Sequence, residues 1–166
     1  MVSHQLRTTA VAAAAAIAGL AGCGEVDRAA IEALPTAADV ALSQRTGGVD
    51  ADIDWEGQDP ERLAARGKRL FAECQVCHQV GPNARNGAGP GLYRLLGRPA
   101  GQVPGFAYSA ALKGADFTWT PSAFDAWIAA PWRFLPGTNM QYGGLSKPED
   151  RLALLAYLEA QNNLAE

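Results

Sequence analysis

The feature that most restricts this chain is the motif CQVCH, residues 74–78, in which two thiols are followed directly by an imidazole. Three chemistries use such a motif: a redox-active dithiol, a structural zinc site, and covalent attachment of a haem. A zinc site needs four ligands. A dithiol belongs at the start of a helix in an alternating α/β pattern, and a haem iron with both axial positions filled needs a second donor. The other residues of the chain therefore discriminate between the three.

The supply of soft ligands disfavours zinc. The chain has three cysteines and two histidines. Cys23 and His4 belong to an N-terminal segment with the features of an export signal, which leaves Cys74, Cys77 and His78 for a site. Three ligands fall short of the four that structural zinc sites use.

The residues before the motif predict a helix. Asp59 is suited to be its N-cap and Pro60 to occupy its first position, and Leu63, Leu70 and Phe71 recur at helical spacing. The motif thus follows the end of a helix, whereas a thioredoxin-like dithiol begins one. This context favours haem attachment, in which two thiols bond to the vinyl groups on one porphyrin edge and the imidazole reaches the iron.

A second axial ligand is available in Met140, the only methionine after Met1. It lies in LPGTNMQYGG, between Pro136-Gly137 and Gly143-Gly144, and therefore in a turn-rich loop. Methionines usually fill apolar cores. A loop methionine flanked by turn residues is instead presented to a partner, and His/Met ligation is typical of haem iron with a raised potential.

The first 22 residues resemble a bacterial export signal. After Arg7, the small and apolar run from Thr8 to Leu20 is 13 residues long, shorter than the ~20 that a membrane span needs. LAGC, residues 20–23, resembles the lipobox of bacterial lipoproteins, whose cysteine carries a lipid and begins the mature chain. We therefore expect residues 1–22 to be a lipoprotein-type signal peptide and Cys23 to be lipidated on the periplasmic side of a membrane. The alternatives are a soluble periplasmic product and an uncleaved signal anchor.

The exported part divides by charge into two regions. Residues 23–58 hold eight acidic residues and two arginines, a net charge of −6, with Pro35 and Gly47-Gly48 among them, and predict an acidic flexible linker. As a coil, its 36 steps from Cys23 to Asp59 would reach ~30–36 Å. Residues 59–166 hold eleven basic and nine acidic residues, a net charge of +2, and predict one domain. Its basic residues form no cluster, so we expect no binding to nucleic acid.

The rest of the domain predicts an all-α fold. Thr120-Pro121 indicates the start of a helix that Pro131 ends, and Ser146 with Glu149 forms a capping-box pattern before another. Between these segments lie loops rich in glycine and proline, with no alternating strand pattern. About 108 residues bury only a modest core, so we expect the cofactor to form part of it.

In order along 59–166, these motifs resemble the class I c-type cytochromes. GKRLFAECQVCH resembles the first helix of that family, NGAGPGLYRLLGR the segment after the haem histidine, PGTNM the methionine loop, and EDRLALLAYLEAQ the final helix. The resemblance implies a small cytochrome c fold, three to five helices with Gly/Pro-rich loops wrapped around one covalently bound haem c. It also implies thioether bonds at Cys74 and Cys77, and His78 and Met140 as axial ligands of the iron.

The same resemblance assigns residues around the haem. The Pro90 carbonyl is expected to accept the imidazole N–H. Arg98, Tyr108, Trp119 and Thr138 match family residues that surround the haem propionates.

The resemblance implies a function in electron transfer and no enzymatic activity. The expected protein is a membrane-tethered monomer that carries one electron between Fe(III) and Fe(II) states. Its donor would be a cytochrome bc-type complex or a periplasmic dehydrogenase, and its acceptor a terminal oxidase or a photosynthetic reaction centre. One alternative is a haem subunit docked permanently in a periplasmic dehydrogenase or oxidase complex. Another is a five-coordinate haem sensor or enzyme, in which Met140 would be structural.

The domain departs from the family in its lysines. Mitochondrial-type carriers ring the exposed haem edge with lysines that dock acidic partners, but this domain has only Lys68, Lys113 and Lys147. Docking that depends strongly on lysine charge is therefore not expected.

Overall fold

The computed structural model of the protein describes residues 27–45 and 57–162. Within these ranges the only β pairing is an isolated antiparallel bridge between Pro99 and Thr118, and the expected all-α class is confirmed. No helix in the same ranges combines the length and apolar composition needed to cross a bilayer. The described chain forms α1 (Arg28–Ala33), α2 (Ala37–Arg45), α3 (Pro60–Leu70), a 3-10 turn (Phe71–Glu73), α4 (Ala110–Lys113), α5 (Pro121–Ala129), α6 (Pro131–Phe134) and α7 (Pro148–Asn162).

Two helices begin at the predicted caps. The Asp59 carboxylate accepts the N–H groups of Glu61 and Arg62 at the start of α3, with proline in the first position. The Thr120 hydroxyl accepts the N–H of Ala123 at 3.2 Å at the start of α5. Both bonds satisfy N–H groups that a helix end would otherwise leave without a partner.

The start of α7 differs from the predicted capping box. The helix begins at Pro148, so Lys147 and not Ser146 occupies the N-cap position. The physical reason is Pro148, whose fixed φ and missing N–H suit the first position of a helix. The buried guanidinium of Arg151 donates to the Ser146 carbonyl at 2.7 Å and pairs with Asp125, also at 2.7 Å. These bonds tie the approach to α7 against α5.

The crossing of α3 and α7 organises the fold. A Cβ atom on Gly67 would lie 1.9 Å from the Ala153 carbonyl oxygen, so only glycine allows this approach. Next to the crossing, the rings of Phe71 and Tyr157 pack with centroids 5.4 Å apart. The 3-10 turn that leads from α3 to the CQVCH motif is thereby fixed to the last helix.

The prediction of a flexible linker over residues 23–58 is wrong for residues 27–45. These residues form α1 and α2, and Ala37, Val40 and Ala41 are buried in the same core as Phe117 and Phe134. The reason is a small apolar side of α2, Ala37, Val40 and Ala41, that the acidic composition of residues 23–58 concealed. The remaining linker residues 23–26 and 46–56, like the signal peptide, lie outside the described residues.

Candidate functional site

The CQVCH motif is wound into tight turns directly after α3. The N–H of Cys74 donates to the Phe71 carbonyl at 2.9 Å, and those of Cys77 and His78 both donate to the Cys74 carbonyl, at 3.0 and 2.9 Å. These backbone bonds hold the five residues as one unit. Both thiols and the imidazole line the same cleft.

The imidazole of His78 is oriented by Pro90 and accommodated by Gly89. Its Nδ1 lies 2.8 Å from the Pro90 carbonyl oxygen. Because a carbonyl only accepts, Nδ1 carries the proton and Nε2 keeps its lone pair. A Cβ on Gly89 would lie 2.3 Å from Cε1 of the ring, so any other residue there would occupy the same space.

The protonation state of His78 suits a metal ligand. Burial lowers the pKa of the imidazole, and the bond to Pro90 offsets part of that effect. The side chain is therefore neutral at pH 7, the form in which histidine binds a metal, and its second nitrogen is held by a carbonyl as in metal sites.

Met140 lies in a loop between α6 and α7 whose backbone is fixed to its surroundings. The N–H of Met140 donates to the Thr138 hydroxyl at 3.2 Å. After the loop, the N–H of Leu145 donates to the Ile128 carbonyl at 2.8 Å, at the end of α5. Met140 is half-buried, packs against the main core and lines the same cleft as the CQVCH motif.

The cleft has a volume of about 480 Å³, within the ~300–1,000 Å³ usual for small-molecule and cofactor sites. Its walls are mainly apolar and come from the loops before α5 and from α5 and α7. They include Leu95, Leu112, Trp119, Trp127, Leu154 and Leu158.

Four of the residues predicted around the motif line this cleft: Pro90, Arg98, Tyr108 and Trp119. The guanidinium of Arg98 donates to the backbone carbonyls of Gly91 and Tyr93, both at 3.3 Å. Burial lowers the pKa of Arg98, yet arginine remains a cation at neutral pH. Burial raises the pKa of Tyr108, so its hydroxyl keeps its proton.

Thr138 lies outside the set of residues that line the cleft. Its hydroxyl accepts the backbone N–H of Met140, so its position in the structure is that of a support for the methionine loop. Its expected contact with a propionate stays a prediction.

The Cys74 thiol is unsuited to dithiol redox chemistry. Burial, followed by the charges of Glu73 and Cys77, raises the pKa of the Cys74 thiol to about 11. A catalytic Cys-x-x-Cys pair needs a lowered thiol pKa, because the thiolate is the nucleophile. A protonated, half-buried Cys74 argues against that reading of the motif.

Gly89 and Tyr142 are among the cleft residues that carried no prediction from the sequence. Gly89 makes room for the imidazole, and the signal for it was the glycine-rich run NGAGPG, where backbone approaches a neighbour closely. Tyr142 lines the cleft two residues beyond Met140. Its position in the same short loop was the available signal.

Together these residues suit a haem attached through the motif. The two thiols supply the covalent bonds, a neutral imidazole and a thioether supply the axial donors, and the apolar walls suit the porphyrin. The cation of Arg98 and the hydroxyl of Tyr108 suit its carboxylates.

Several known proteins are similar to the chain, although no family model matches it. Cytochrome c2 from Rhodomicrobium vannielii is 40% identical over 97 residues, which are 58% of this chain and 78% of that protein. Cytochrome c2 from Rhodoblastus acidophilus is 45% identical over 92 residues, 55% of this chain and 86% of that protein. Among solved structures, cytochrome cH from Methylobacterium extorquens aligns with a TM-score of 0.55 and 38% identity, covering 58% of this chain and 97% of that one.

These relatives are matched over most of their own length. The shared region is comparable in size to residues 59–166, where the motifs, the helical fold and the cleft all lie. The chain belongs to the class I c-type cytochromes, electron carriers with one covalently bound haem c.

Proposed function

We propose that this cytochrome binds its haem through thioether bonds from Cys74 and Cys77 and holds the iron between His78 and Met140. The observation that carries the proposal is that all four side chains line one apolar cleft. The bond from His78 to Pro90 supports it further, because it leaves Nε2 free for a metal. When bound, haem c supplies a one-electron Fe(III)/Fe(II) couple.

The surrounding residues tune this couple. Two axial donors leave no coordination site for oxygen, which suits a carrier and not an oxygen-activating enzyme. Apolar walls exclude water and disfavour the more highly charged ferric state, which raises the potential. We assign Arg98, Tyr108 and Trp119 to the propionates, since each lines the cleft and offers an N–H or O–H group.

Removing the thioether of Met140 tests the ligand assignment. In the ferric wild type we expect the weak far-red absorption band of iron–methionine coordination, and in Met140→Ala we expect that band to be lost. The midpoint potential of the variant should fall by on the order of 0.1 V, since Met/His ligation raises it within the ~0.8 V range that axial ligands cover.

Gln141→Ala is the matched control, because Gln141 is the next residue of the loop and also lines the cleft. This variant should keep the band, and its potential should change much less than that of Met140→Ala, because the thioether of Met140 stays in place. A high-spin, five-coordinate spectrum of the wild type would contradict the proposal and favour the sensor or enzyme alternative.

We further propose that the protein is exported and tethered to the periplasmic side of a membrane by a lipid on Cys23. The support is the LAGC sequence, residues 20–23, which lie outside the described residues. Cys23→Ser is expected to move the protein from the membrane fraction to the soluble fraction, while Gly24→Ala should leave it in the membrane fraction. A wild type that fractionates as soluble would show that the lipobox interpretation is wrong.

The rim of the cleft supports docking through apolar contact. Val76, between the two haem-binding cysteines, has 80% of its surface exposed. Glu73 and Asn139 also line the cleft, whereas the domain's three lysines do not. We therefore propose a partner surface with an apolar centre and a binding rate that depends only weakly on salt, because few charges steer the encounter.

The proposed donor is a membrane cytochrome bc-type complex, and the proposed acceptor a terminal oxidase or a reaction centre. In membranes that contain the wild type, quinol-driven haem reduction should be blocked by an inhibitor of bc-type complexes. Reduction that persists under the inhibitor would instead support a periplasmic dehydrogenase as the donor.

A further inference from the structure

Next to the cleft, residues 97–100 pair with residues 117–119 around the isolated antiparallel bridge between Pro99 and Thr118, and together they form a narrow ribbon. The N–H of Gly97 donates to the Trp119 carbonyl at 2.8 Å, and that of Ala100 to the Phe117 carbonyl at 2.9 Å. Because neighbouring residues of an extended chain point their backbone groups in opposite directions, the N–H and carbonyl of Thr118 face the outer edge of the ribbon. An open edge of this kind needs a partner.

The side-chain amide of Gln44, in α2, supplies that partner. Its Oε1 accepts the N–H of Thr118 at 2.8 Å, and its Nε2 donates to the carbonyl of the same residue at 2.9 Å. One amide therefore satisfies both edge groups of Thr118, as a further strand would. The contact joins residues 74 positions apart in the chain.

A second set of contacts holds α1 and the turn that follows it. The guanidinium of Arg133, in α6, donates to the Leu34 carbonyl at 2.7 Å and also to the Glu32 carbonyl. These charge-assisted bonds tie the end of α1 to α6. The pair between Arg45 and Asp116 at 2.9 Å is largely exposed, and it contributes little.

Burial of apolar side chains also holds α2 against the domain. Val40 is only 4% exposed, and with Ala37 and Ala41 it belongs to the main core of the protein. A helix of nine residues is marginal in water by itself, so α2 depends on this packing. The helix start is stabilised locally by Thr36 and Asp39, whose side chain and backbone groups cap each other at 2.6–3.3 Å.

We propose that residues 27–45 form a permanent strap on the domain and shorten the free tether to the four steps between Cys23 and Asp27. This inference rests on the proposed lipid at Cys23. Four residues reach at most ~13 Å, against ~30–36 Å for the 36-step coil that the linker would otherwise form. The short tether would hold the domain close to the membrane, and the strap itself does not cover the cleft, because no residue of the strap lines it.

Hydrogen exchange measured by mass spectrometry on the haem-loaded full chain tests the strap without reference to the lipid. In the wild type, backbone amides of residues 41–45 should exchange at least ~100-fold more slowly than in Val40→Asp, which places a charge in the core. Leu42→Asp is the matched control, because it makes the same kind of change at a position that is 56% exposed. It should keep the protection.

Two further measurements distinguish release of the strap from unfolding of the whole domain. Amides of α3 and α7 report whether Val40→Asp has unfolded the whole domain. If it has, Gln44→Ala, which removes the two bonds to Thr118 and leaves the core intact, should still raise exchange in the strap by roughly tenfold. Unprotected amides at 41–45 in the wild type would overturn the strap.

The tether length is tested on phosphatidylcholine vesicles that contain a lipid with a fluorescent headgroup, using the haem as the quencher. With bound wild type, quenching per protein should be at least about twofold greater than with Val40→Asp, because release lengthens the tether from ~13 Å to ~30–36 Å. Leu42→Asp should match the wild type. Equal quenching by bound wild type and Val40→Asp would overturn the short tether, whereas a wild type that does not bind vesicles would overturn the lipid attachment and leave the exchange result standing.

Discussion

Replacing Gly89 by alanine is expected to remove most of the six-coordinate haem protein. The new Cβ would lie 2.3 Å from Cε1 and 2.6 Å from Nδ1 of His78, well inside the ~3.5–4.0 Å at which carbon atoms pack. The imidazole cannot retreat without losing its 2.8 Å bond to the Pro90 carbonyl. Overlap of this kind costs ~1–3 kcal/mol, and the lost hydrogen bond about 1 kcal/mol more.

That cost corresponds to a tenfold or greater fall in the fraction of haem ligated by His78, because each ~1.4 kcal/mol is a factor of ten. The ferric absorption spectrum and the midpoint potential measure it directly. Gly114→Ala is the matched control, since its Cβ would lie 3.4 Å from the Ala110 carbonyl, an ordinary contact, at φ −90°. If Gly89→Ala kept the wild-type spectrum and potential, the imidazole would not occupy the position described here.

The proposed ligand set could be assigned from the sequence because most of its chemistry is local. Cys74, Cys77 and His78 lie within five residues, so their spacing limits the site to three chemistries, and the count of other ligands together with the helix before the motif favours haem. Met140 was identifiable because it is the only methionine after the first residue and lies between turns. The hydrogen bond predicted from His78 to Pro90 is present at 2.8 Å.

The walls of the cleft were only partly predictable. Helical spacing after Pro121 places Phe124, Trp127 and Ile128 on one apolar face, and all three line the cleft. Periodicity shows which side of a helix is apolar, but it does not show what that side faces. That information resides in contacts between distant segments, such as the packing of Trp119 against Trp127 with ring centroids 5.5 Å apart.

The strap shows why composition can mislead. Acidic residues and Gly47-Gly48 predicted a linker, because an average over 36 residues hides nine that form a helix. The decisive contacts, from Gln44 to Thr118 and from Arg133 to Leu34, span 74 and 99 positions and leave no local trace. One local signal did exist, the Thr36-x-x-Asp39 capping pattern before an apolar pair.

The crossing of α3 and α7 also depends on a single residue, Gly67, which begins the segment GKRLFAECQVCH that resembles the first helix of the family. Gly67 lies within helix α3, so its role does not depend on the unusual backbone angles that glycine allows. Glycine is needed because Ala153 and Tyr157 of α7 fill the space that a side chain would occupy. Helix propensity and helix packing therefore make opposite predictions for the same substitution.

Gly67→Ala is expected to destabilise the haem-loaded protein by about 3 kcal/mol or more. Propensity alone would favour alanine by ~1 kcal/mol. The new Cβ, however, would lie 1.9 Å from the Ala153 carbonyl oxygen and 2.7 Å from the Cβ of Tyr157. Neither atom can rotate away, so the helices must separate and loosen the buried contacts among Leu63, Ala153 and Ala156.

Thermal unfolding followed by circular dichroism should show the melting temperature lowered by about 10 °C, at ~2–4 °C or more per kcal/mol for a domain of this size. Gly143→Ala is the control, because a Cβ there meets no atom within 4 Å, and its melting temperature should stay within a degree or two of the wild type. A rise in melting temperature for Gly67→Ala would mean that propensity prevails and that the two helices do not approach this closely. A fall in melting temperature for Gly67→Ala alone would show that the close contact between α3 and α7 stabilises the domain. The same contact positions the CQVCH motif, which follows α3 after the 3-10 turn Phe71–Glu73.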